Sequence, residues 1–268
     1  MGGVSHLVRA LTIAGSDPGG GAGIEQDLKT FQVLGVWGMA AITAVTIQDT
    51  RGVQGWHVIP PEVVERQIAV VAADIGIDAA KTGMLPDVAT IQAVVRAIAE
   101  HPVPRLVVDP VLVATSGDAL ATGGVVDALC AELMPRAALV TPNAEEARAL
   151  TGIEVADREG QAAAARALVA GGAGAALVTG GDLGTAEAVD VLWDGDELRV
   201  FAAPWEGPGP YHGTGCMLSA AIAAGLAGGR SLTEAIGRAK ALVSQGIRTA
   251  PALGGGARPV NPGIGGAG

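Results

Sequence analysis

The chain has few of the features that mark secreted, membrane-spanning or nucleic-acid-binding proteins. Its two cysteines, Cys130 and Cys216, are too few for a disulfide framework in a chain of 268 residues. Apolar runs such as 40–47 and 220–227 end well before the ~20 residues of a membrane-spanning helix, and no signal peptide is visible. A net charge of −10 argues against the basic face that nucleic-acid binding requires. We therefore expect a cytoplasmic protein with no membrane and no nucleic-acid partner.

Two common nucleotide-binding motifs are also absent. No G-x-x-x-x-G-K-[ST] loop occurs in the sequence, and lysine appears only three times. Gly213 and Gly215 begin a G-x-G pattern, but Leu218 stands where a dinucleotide-binding motif has its third glycine. A phosphorylated ligand would therefore have to be bound by backbone amides, a metal ion and a few placed cations.

The most informative segment is 211–216, Tyr-His-Gly-Thr-Gly-Cys, which precedes a predicted helix over 217–227. Backbone N–H groups at a helix start have no intrahelical partner and favour an anion, most readily a phosphate. A thiol at that place has a lowered pKa, so Cys216 is a candidate nucleophile or base. The alternative is an ordinary loop-to-helix junction in which Cys216 is a small buried apolar residue.

Apolar strand-like runs alternate with helical patterns along the chain, which predicts a mostly parallel sheet covered by helices on both faces. The runs 188–193 and 198–202 are typical of a hairpin. We predict one domain over 1–253 and a disordered, Gly- and Pro-rich tail over 254–268. Other predicted strands are 7–14, 40–47, 77–82, 105–109, 137–141 and 175–179, and other predicted helices are 24–34, from Pro61, 87–100, 125–133, 144–150, 160–170 and 231–249.

Polar or glycine residues follow almost every predicted strand. Because the carboxyl ends of parallel strands meet at one edge of a sheet, these residues should converge on one ligand site. Some of them are expected to be turn residues only. The segments are 15–19, 48–49, 81–84, 109–110, 141–143 and 179–181.

These motifs, in this order, resemble the hydroxymethylpyrimidine and phosphomethylpyrimidine kinases of thiamine biosynthesis, within the ribokinase-like superfamily. The resemblance extends from Leu11 to about Ala250, and it includes Gly-Ser-Asp-Pro at 15–18, Lys-Thr-Gly-Met at 81–84 and Gly-Thr-Gly-Cys at 213–216. It implies a three-layer α/β/α sandwich with a mostly parallel central sheet, a peripheral β-hairpin and a homodimer.

The resemblance also implies the reaction. It is ATP-dependent phosphorylation of 4-amino-5-hydroxymethyl-2-methylpyrimidine to the monophosphate, and then of the monophosphate to the diphosphate. The amides of Gly213, Thr214, Gly215 and Cys216 would stabilise the transferring phosphoryl group. Cys216 matches the position of the catalytic base and would accept the proton of the substrate hydroxyl.

For the nucleotide, the resemblance implies ATP with Mg²⁺. Asn143 and Glu146 would organise the metal, and Asp109 could supply another ligand. The alternatives are a helix N-cap with a capping-box glutamate for the first two and an X-Pro turn for Asp109. Other predicted nucleotide contacts are Lys81, Thr179 and Gly181, of which Lys81 has the alternative of a surface lysine.

For the pyrimidine, the resemblance implies that Asp27 and Gln48 hydrogen-bond the ring and its amino group. Met84 and Val111 would pack on the ring faces, and Gly15 would let the backbone approach the ligand closely. A helical aspartate is more often a solvated surface residue, and methionine is more often generic core.

Two positions depart from the family pattern. Thr179 stands where the family often has a lysine, and Pro210 and Tyr211 stand where it tends to have Asn-Thr. These departures leave open a non-catalytic ligand-sensing protein of the same fold. A pyridoxal or pyridoxine kinase is a second alternative, because its substrate is also a six-membered heteroaromatic hydroxymethyl compound.

Overall fold

The computed structural model describes residues 7–113, 120, 123–181, 183, 187–207 and 209–263. Its strands are β1 (Arg9–Ala14), β2 (Trp37–Ile42), β3 (Ala44–Asp49), β4 (Gly52–Val58), β5 (Ala79–Thr82), β6 (Leu106–Val108), β7 (Leu139–Val140), β8 (Ala176–Val178), β9 (Glu187–Trp193), β10 (Leu198–Pro204), β11 (Tyr211–His212) and β12 (Arg258–Pro259). Its helices are α1 (Gly23–Val33), α2 (Pro61–Asp74), α3 (Val88–Glu100), α4 (Val125–Ala128), α5 (Ala144–Thr151), α6 (Arg158–Ala170), α7 (Thr214–Ala227) and α8 (Leu232–Arg248). A π turn over Leu129–Leu133 and a 3-10 turn over Met134–Arg136 continue α4.

Eight strands form the central sheet in the order β10-β9-β8-β7-β6-β5-β1-β2. The pairs from β8 to β2 are parallel, while β9 and β10 add antiparallel strands at one edge. One buried cluster lies between the sheet and α2 to α6, and a second lies between the sheet and α1, α7 and α8. The predicted three-layer α/β/α architecture is confirmed.

Local sequence accounts for the helix starts. Asp87 accepts a hydrogen bond from the Thr90 N–H at the start of α3, and Ser231 and Glu234 form a capping box at the start of α8. Pro61 is the first residue of α2, as predicted. In the described residues, every helix is too short or too polar to cross a lipid bilayer.

The predicted strand over 40–47 is two strands that belong to different sheets. The chain turns at Thr43, whose N–H donates to the Ala14 carbonyl and whose hydroxyl donates to the Met84 carbonyl. β2 therefore ends in the central sheet, and β3 forms a separate antiparallel hairpin with β4. The sequence missed this break because both strands are apolar and no glycine or proline separates them. The predicted hairpin β9–β10 exists, as the edge of the central sheet.

The prediction of a disordered tail is wrong for 254–263. β12 pairs with β11, and the Val260 N–H donates to the His212 carbonyl at 3.0 Å. Val260 is buried, which supplies an apolar anchor that glycine and proline content does not reveal. Residues 264–268, and residues 114–118 of the motif that begins at Asp109, lie outside the described residues.

Candidate active site

A cavity of about 1130 Å³ opens at the carboxyl ends of the parallel strands. Every predicted site residue except Asp27 lines it. These residues are Gly15, Gln48, Lys81, Met84, Asp109, Val111, Asn143, Glu146, Thr179, Gly181, Gly213, Thr214, Gly215 and Cys216. The convergence predicted from the strand ends is thus present in the fold.

The turn at Gly213 sets the geometry of the cavity end that is predicted to bind an anion. Gly213 has φ +86° and precedes the first residue of α7, and a Cβ there would overlap the carbonyl oxygen of Gly21. Only glycine leaves room for the loops at Gly213 and Gly21 to lie this close together. The helix begins at Thr214 rather than Met217, so Cys216 lies within its first turn. The first N–H groups of α7 therefore face an anion position at the positive end of the helix.

Beneath this turn lies a buried charged cluster formed by Asp27, Lys81 and Asp109. Lys81 Nζ is 2.9 Å and 3.1 Å from the two carboxylate oxygens of Asp27, and 3.9 Å from Asp109 Oδ2. The Thr12 hydroxyl donates to Asp27 Oδ2 at 2.6 Å, and the Ser219 hydroxyl donates to Asp109 Oδ2 at 2.8 Å. Since a buried charge needs a partner, these contacts hold both carboxylates in place.

The cluster corrects the prediction for Asp27 and describes the surroundings of Lys81. Asp27 is 0% exposed and bonded to Lys81 and Thr12, so it lies behind the cavity wall and does not reach a ring in the cavity. Lys81 lies at the cavity floor, its side chain is also 0% exposed, and its ammonium group pairs with Asp27 and lies near Asp109. The sequence could not show this pairing because the two residues are 54 positions apart.

Burial and the charged cluster together set the protonation state of Cys216. Burial raises the pKa of the Cys216 thiol to about 12, the carboxylates of Asp27 and Asp109 add to that shift, and Lys81 offsets it only in part. Burial alone would lower the pKa of Lys81, but Asp27, Cys216 and Asp109 raise it overall, so Lys81 stays an ammonium ion. The predicted lowering of the Cys216 pKa is wrong: the helix start and the Gly23 N–H beside the sulphur do not compensate for burial.

Asp17 organises the glycine-rich loop after β1. Its Oδ1 accepts from the Gly19 N–H, and its Oδ2 accepts from the Gly21 and Ala22 N–H groups at 2.9 Å and 2.8 Å. His212 Nε2 is 3.0 Å from the same Oδ2. Although burial opposes it, these hydrogen bonds lower the pKa of Asp17 to about 2. Asp17 is not among the predicted site residues, although an aspartate before Pro-Gly-Gly-Gly is a pattern typical of Asx turns.

One end of the cavity is suited to a flat ring. Met84 and Val111 belong to a small apolar cluster, and a Cβ on Gly15 would lie 3.0 Å from Met84 Sδ. The Gln48 amide, carried by the β3–β4 hairpin, lies 3.3 Å from His212 Nε2. An apolar slot with an amide at its side matches a heteroaromatic ring that bears polar substituents.

Asn143 and Glu146 form a capping box at the start of α5, because each side chain accepts from the backbone N–H of the other. Both residues line the cavity, as does Asp109. In the part of the chain that is described, no group of three or more His, Cys, Asp or Glu side chains forms a preassembled metal site. These oxygen donors nevertheless fit Mg²⁺, which uses few carboxylates together with phosphates and water.

The opposite end of the cavity is formed by the loop after β8 and by α8. The Thr179 N–H donates to the Pro142 carbonyl at 2.9 Å. Lys240 and Asp190 line the cavity here as a buried ion pair, and the sequence analysis missed both. A signal was present, since Lys240 falls on the apolar face of α8 beside Ile236.

The family profile described as phosphomethylpyrimidine kinase matches residues 17–261. Over 261 residues the chain is 47% identical to the hydroxymethylpyrimidine/phosphomethylpyrimidine kinase of Mycobacterium leprae, covering 95% of this chain and 94% of that protein. It is also 47% identical to the thiamine biosynthesis bifunctional protein ThiED of Geobacter sulfurreducens, over 94% of this chain and 51% of that protein. The chain thus spans about half the length of the bifunctional relative.

Solved structures of two kinds of kinase are similar to this fold. An ADP complex of Bacillus subtilis pyridoxal kinase has a TM-score of 0.88 and 37% identity, covering 96% of this chain and 98% of that one. A phosphomethylpyrimidine kinase from Clostridium difficile has a TM-score of 0.79 and 36% identity, covering 90% of this chain and 99% of that one.

Proposed function

Because the chain belongs to the phosphomethylpyrimidine kinase family, we propose that it phosphorylates hydroxymethylpyrimidine, and then its monophosphate, with ATP in thiamine biosynthesis. The observation that carries the proposal is the single cavity that joins an anion-binding helix start to a slot for a flat ring. Phosphoryl transfer needs this arrangement more than covalent chemistry, because positioning and charge stabilisation provide most of the catalysis.

Each end of the cavity has a role in this proposal. The N–H groups of Thr214, Gly215 and Cys216 stabilise the charge on the transferring phosphoryl group. Gln48 hydrogen-bonds the pyrimidine, and Met84 and Val111 contact its faces. Asp27 is left out of direct binding, because it is enclosed with Lys81.

Cys216 remains the group we propose as base for the substrate hydroxyl. To accept the proton its sulphur must be ionised, and the raised pKa of the thiol leaves only a small fraction ionised at pH 7. In a loose transition state the proton of the substrate hydroxyl is removed late, so the position of the base matters more than its strength. A strong pH dependence of the rate follows.

Mg²⁺ would be held by Asp109, Asn143 and Glu146 together with phosphate oxygens. When bound, it would neutralise charge on the phosphates of ATP. The homodimer implied by the family resemblance stays a prediction. Sedimentation equilibrium measures the oligomeric state directly.

Pyridoxal is the second candidate substrate, because the pyridoxal kinase fold superposes with the higher TM-score. The test is ADP release with Mg-ATP and, in separate reactions, hydroxymethylpyrimidine, its monophosphate and pyridoxal. We expect turnover with both pyrimidines and a higher kcat/KM than with pyridoxal. Cys216→Ala should abolish most turnover while ADP still binds. ADP release with pyridoxal alone would replace the proposal with the second candidate, and no substrate-dependent release would favour a ligand-sensing protein.

A further inference from the structure

Lys240 and Asp190 form a buried ion pair at the end of the cavity away from the ring slot. Lys240 Nζ lies 2.6 Å from Asp190 Oδ2, and their side chains are 11% and 6% exposed. Asp190 Oδ1 accepts from the Gly180 N–H at 3.2 Å. The pair therefore joins α8 and β9 to the loop that follows β8.

Residues 179–181, which follow β8, are held by further contacts. Gln161 Nε2 donates to the carbonyls of Val178 and Val189, on the two strands that border the loop. A Cβ on Gly180 would overlap the Val189 carbonyl and Gln161, so the backbone packs directly against them. These contacts place Thr179 and Gly181 at the cavity wall.

Lys240 differs in its surroundings from the other two lysines of the chain. Lys81 is enclosed by Asp27 and Asp109, and Lys29 donates to the Gly20 carbonyl beside the glycine-rich loop. Lys240 is thus the lysine that lines the cavity near Thr179, and Arg148 of α5 also lines this cavity.

We propose that Lys240 and Asp190 are positioning residues for nucleotide binding, which fix the Thr179–Gly181 loop against the phosphates or ribose of a nucleoside di- or triphosphate. This inference rests on the proposed function in taking the ligand to be a nucleotide. The pair acts through Gly180, so its two members should behave as one unit. Neither residue is assigned a contact with the pyrimidine.

The test compares four variants of the full chain: Lys240→Met, Asp190→Asn, the double variant and Lys240→Arg. Arg238→Met, on the exposed side of the same helix, is the matched control. The dissociation constant for ADP is measured by calorimetry, and KM and kcat are measured for ATP and for the pyrimidine. Thermal unfolding is recorded for each variant, since Lys240→Met leaves a buried carboxylate unpaired.

We expect the ADP dissociation constant and the KM for ATP to rise about tenfold in each single variant, because a charge-assisted hydrogen bond is lost. The double variant should match the single ones in ADP affinity while regaining thermal stability. kcat and the KM for the pyrimidine should change less than about twofold, and Lys240→Arg should retain most of the ADP affinity.

Two results from the variants would overturn the inference. One is unchanged ADP affinity in the double variant, and the other is an equal rise in KM for both substrates, which would indicate a general structural role. ADP binding needs no turnover, so the pair is tested even if the protein phosphorylates pyridoxal and no pyrimidine. Failure of the unsubstituted protein to bind ADP would also reject it.

Discussion

Replacing Lys81 by methionine isolates the energetics of the charged cluster under the anion-binding turn. Lys81 and Asp27 are both 0% exposed, and Asp109 is 5% exposed, so Lys81→Met leaves two buried carboxylates without their cation. Removing one partner of a buried pair costs about 3–5 kcal/mol of stability. Unfolding entropy of about 0.6 kcal/mol/K for a chain of this length converts that cost to a fall in Tm of about 5–9 °C.

The assay is thermal and urea unfolding of the unsubstituted chain, Lys81→Met and the double variant Lys81→Met with Asp27→Asn. The double variant should regain part of the loss, because one unpaired carboxylate is gone. Arg96→Met is the control, since it breaks an exposed pair with Glu65 and should cost less than about 1 kcal/mol. If Lys81→Met proved as stable as Arg96→Met, the reasoning about the buried cluster would be refuted.

Three further predictions concern the loops around the cavity. If the Cys216 thiolate is the base, kcat/KM should rise about tenfold per pH unit from pH 7 to 9, and a flat profile would remove it from that role. Asp17 has a folded pKa of about 2, below its unfolded value, so its contribution of about 2 kcal/mol to stability is present above about pH 4 and is lost as pH falls toward 2. The Asp17→Asn variant should therefore unfold at lower urea concentration at pH 7, by a margin that shrinks at pH 3. Truncation after 253 should lower Tm and kcat, because it removes the Val260 donor to the His212 carbonyl, whereas truncation after 263 should change neither.

Local signals predicted most of the fold and of the cavity lining. The capping box at Asn143 and Glu146 and the glycine turn at Gly213 follow from residue types at fixed spacing, so the sequence was sufficient for them. Asp27 shows the limit of such reasoning. A helical aspartate is normally solvated, and only the tertiary fold places Lys81 and Thr12 around it.

The pKa of Cys216 was mispredicted for a related reason. A helix start favours a thiolate, but burial and two nearby carboxylates outweigh that effect, and neither is visible in the local sequence. The ordered tail and the turn at Thr43 likewise depend on contacts with distant residues, namely His212 and Ala14. In each case the missing information was the environment of the residue and not its type.

Phosphorus NMR of the protein with Mg-ATP and hydroxymethylpyrimidine tests the central claim most directly, because it identifies the phosphorylated product and follows its formation over time. The account predicts a phosphomonoester signal that appears first and then gives way to the two signals of a diphosphate ester while ATP is converted to ADP. Conversion of ATP to ADP and inorganic phosphate alone, or no change with the pyrimidine and a monoester only with pyridoxal, would contradict it.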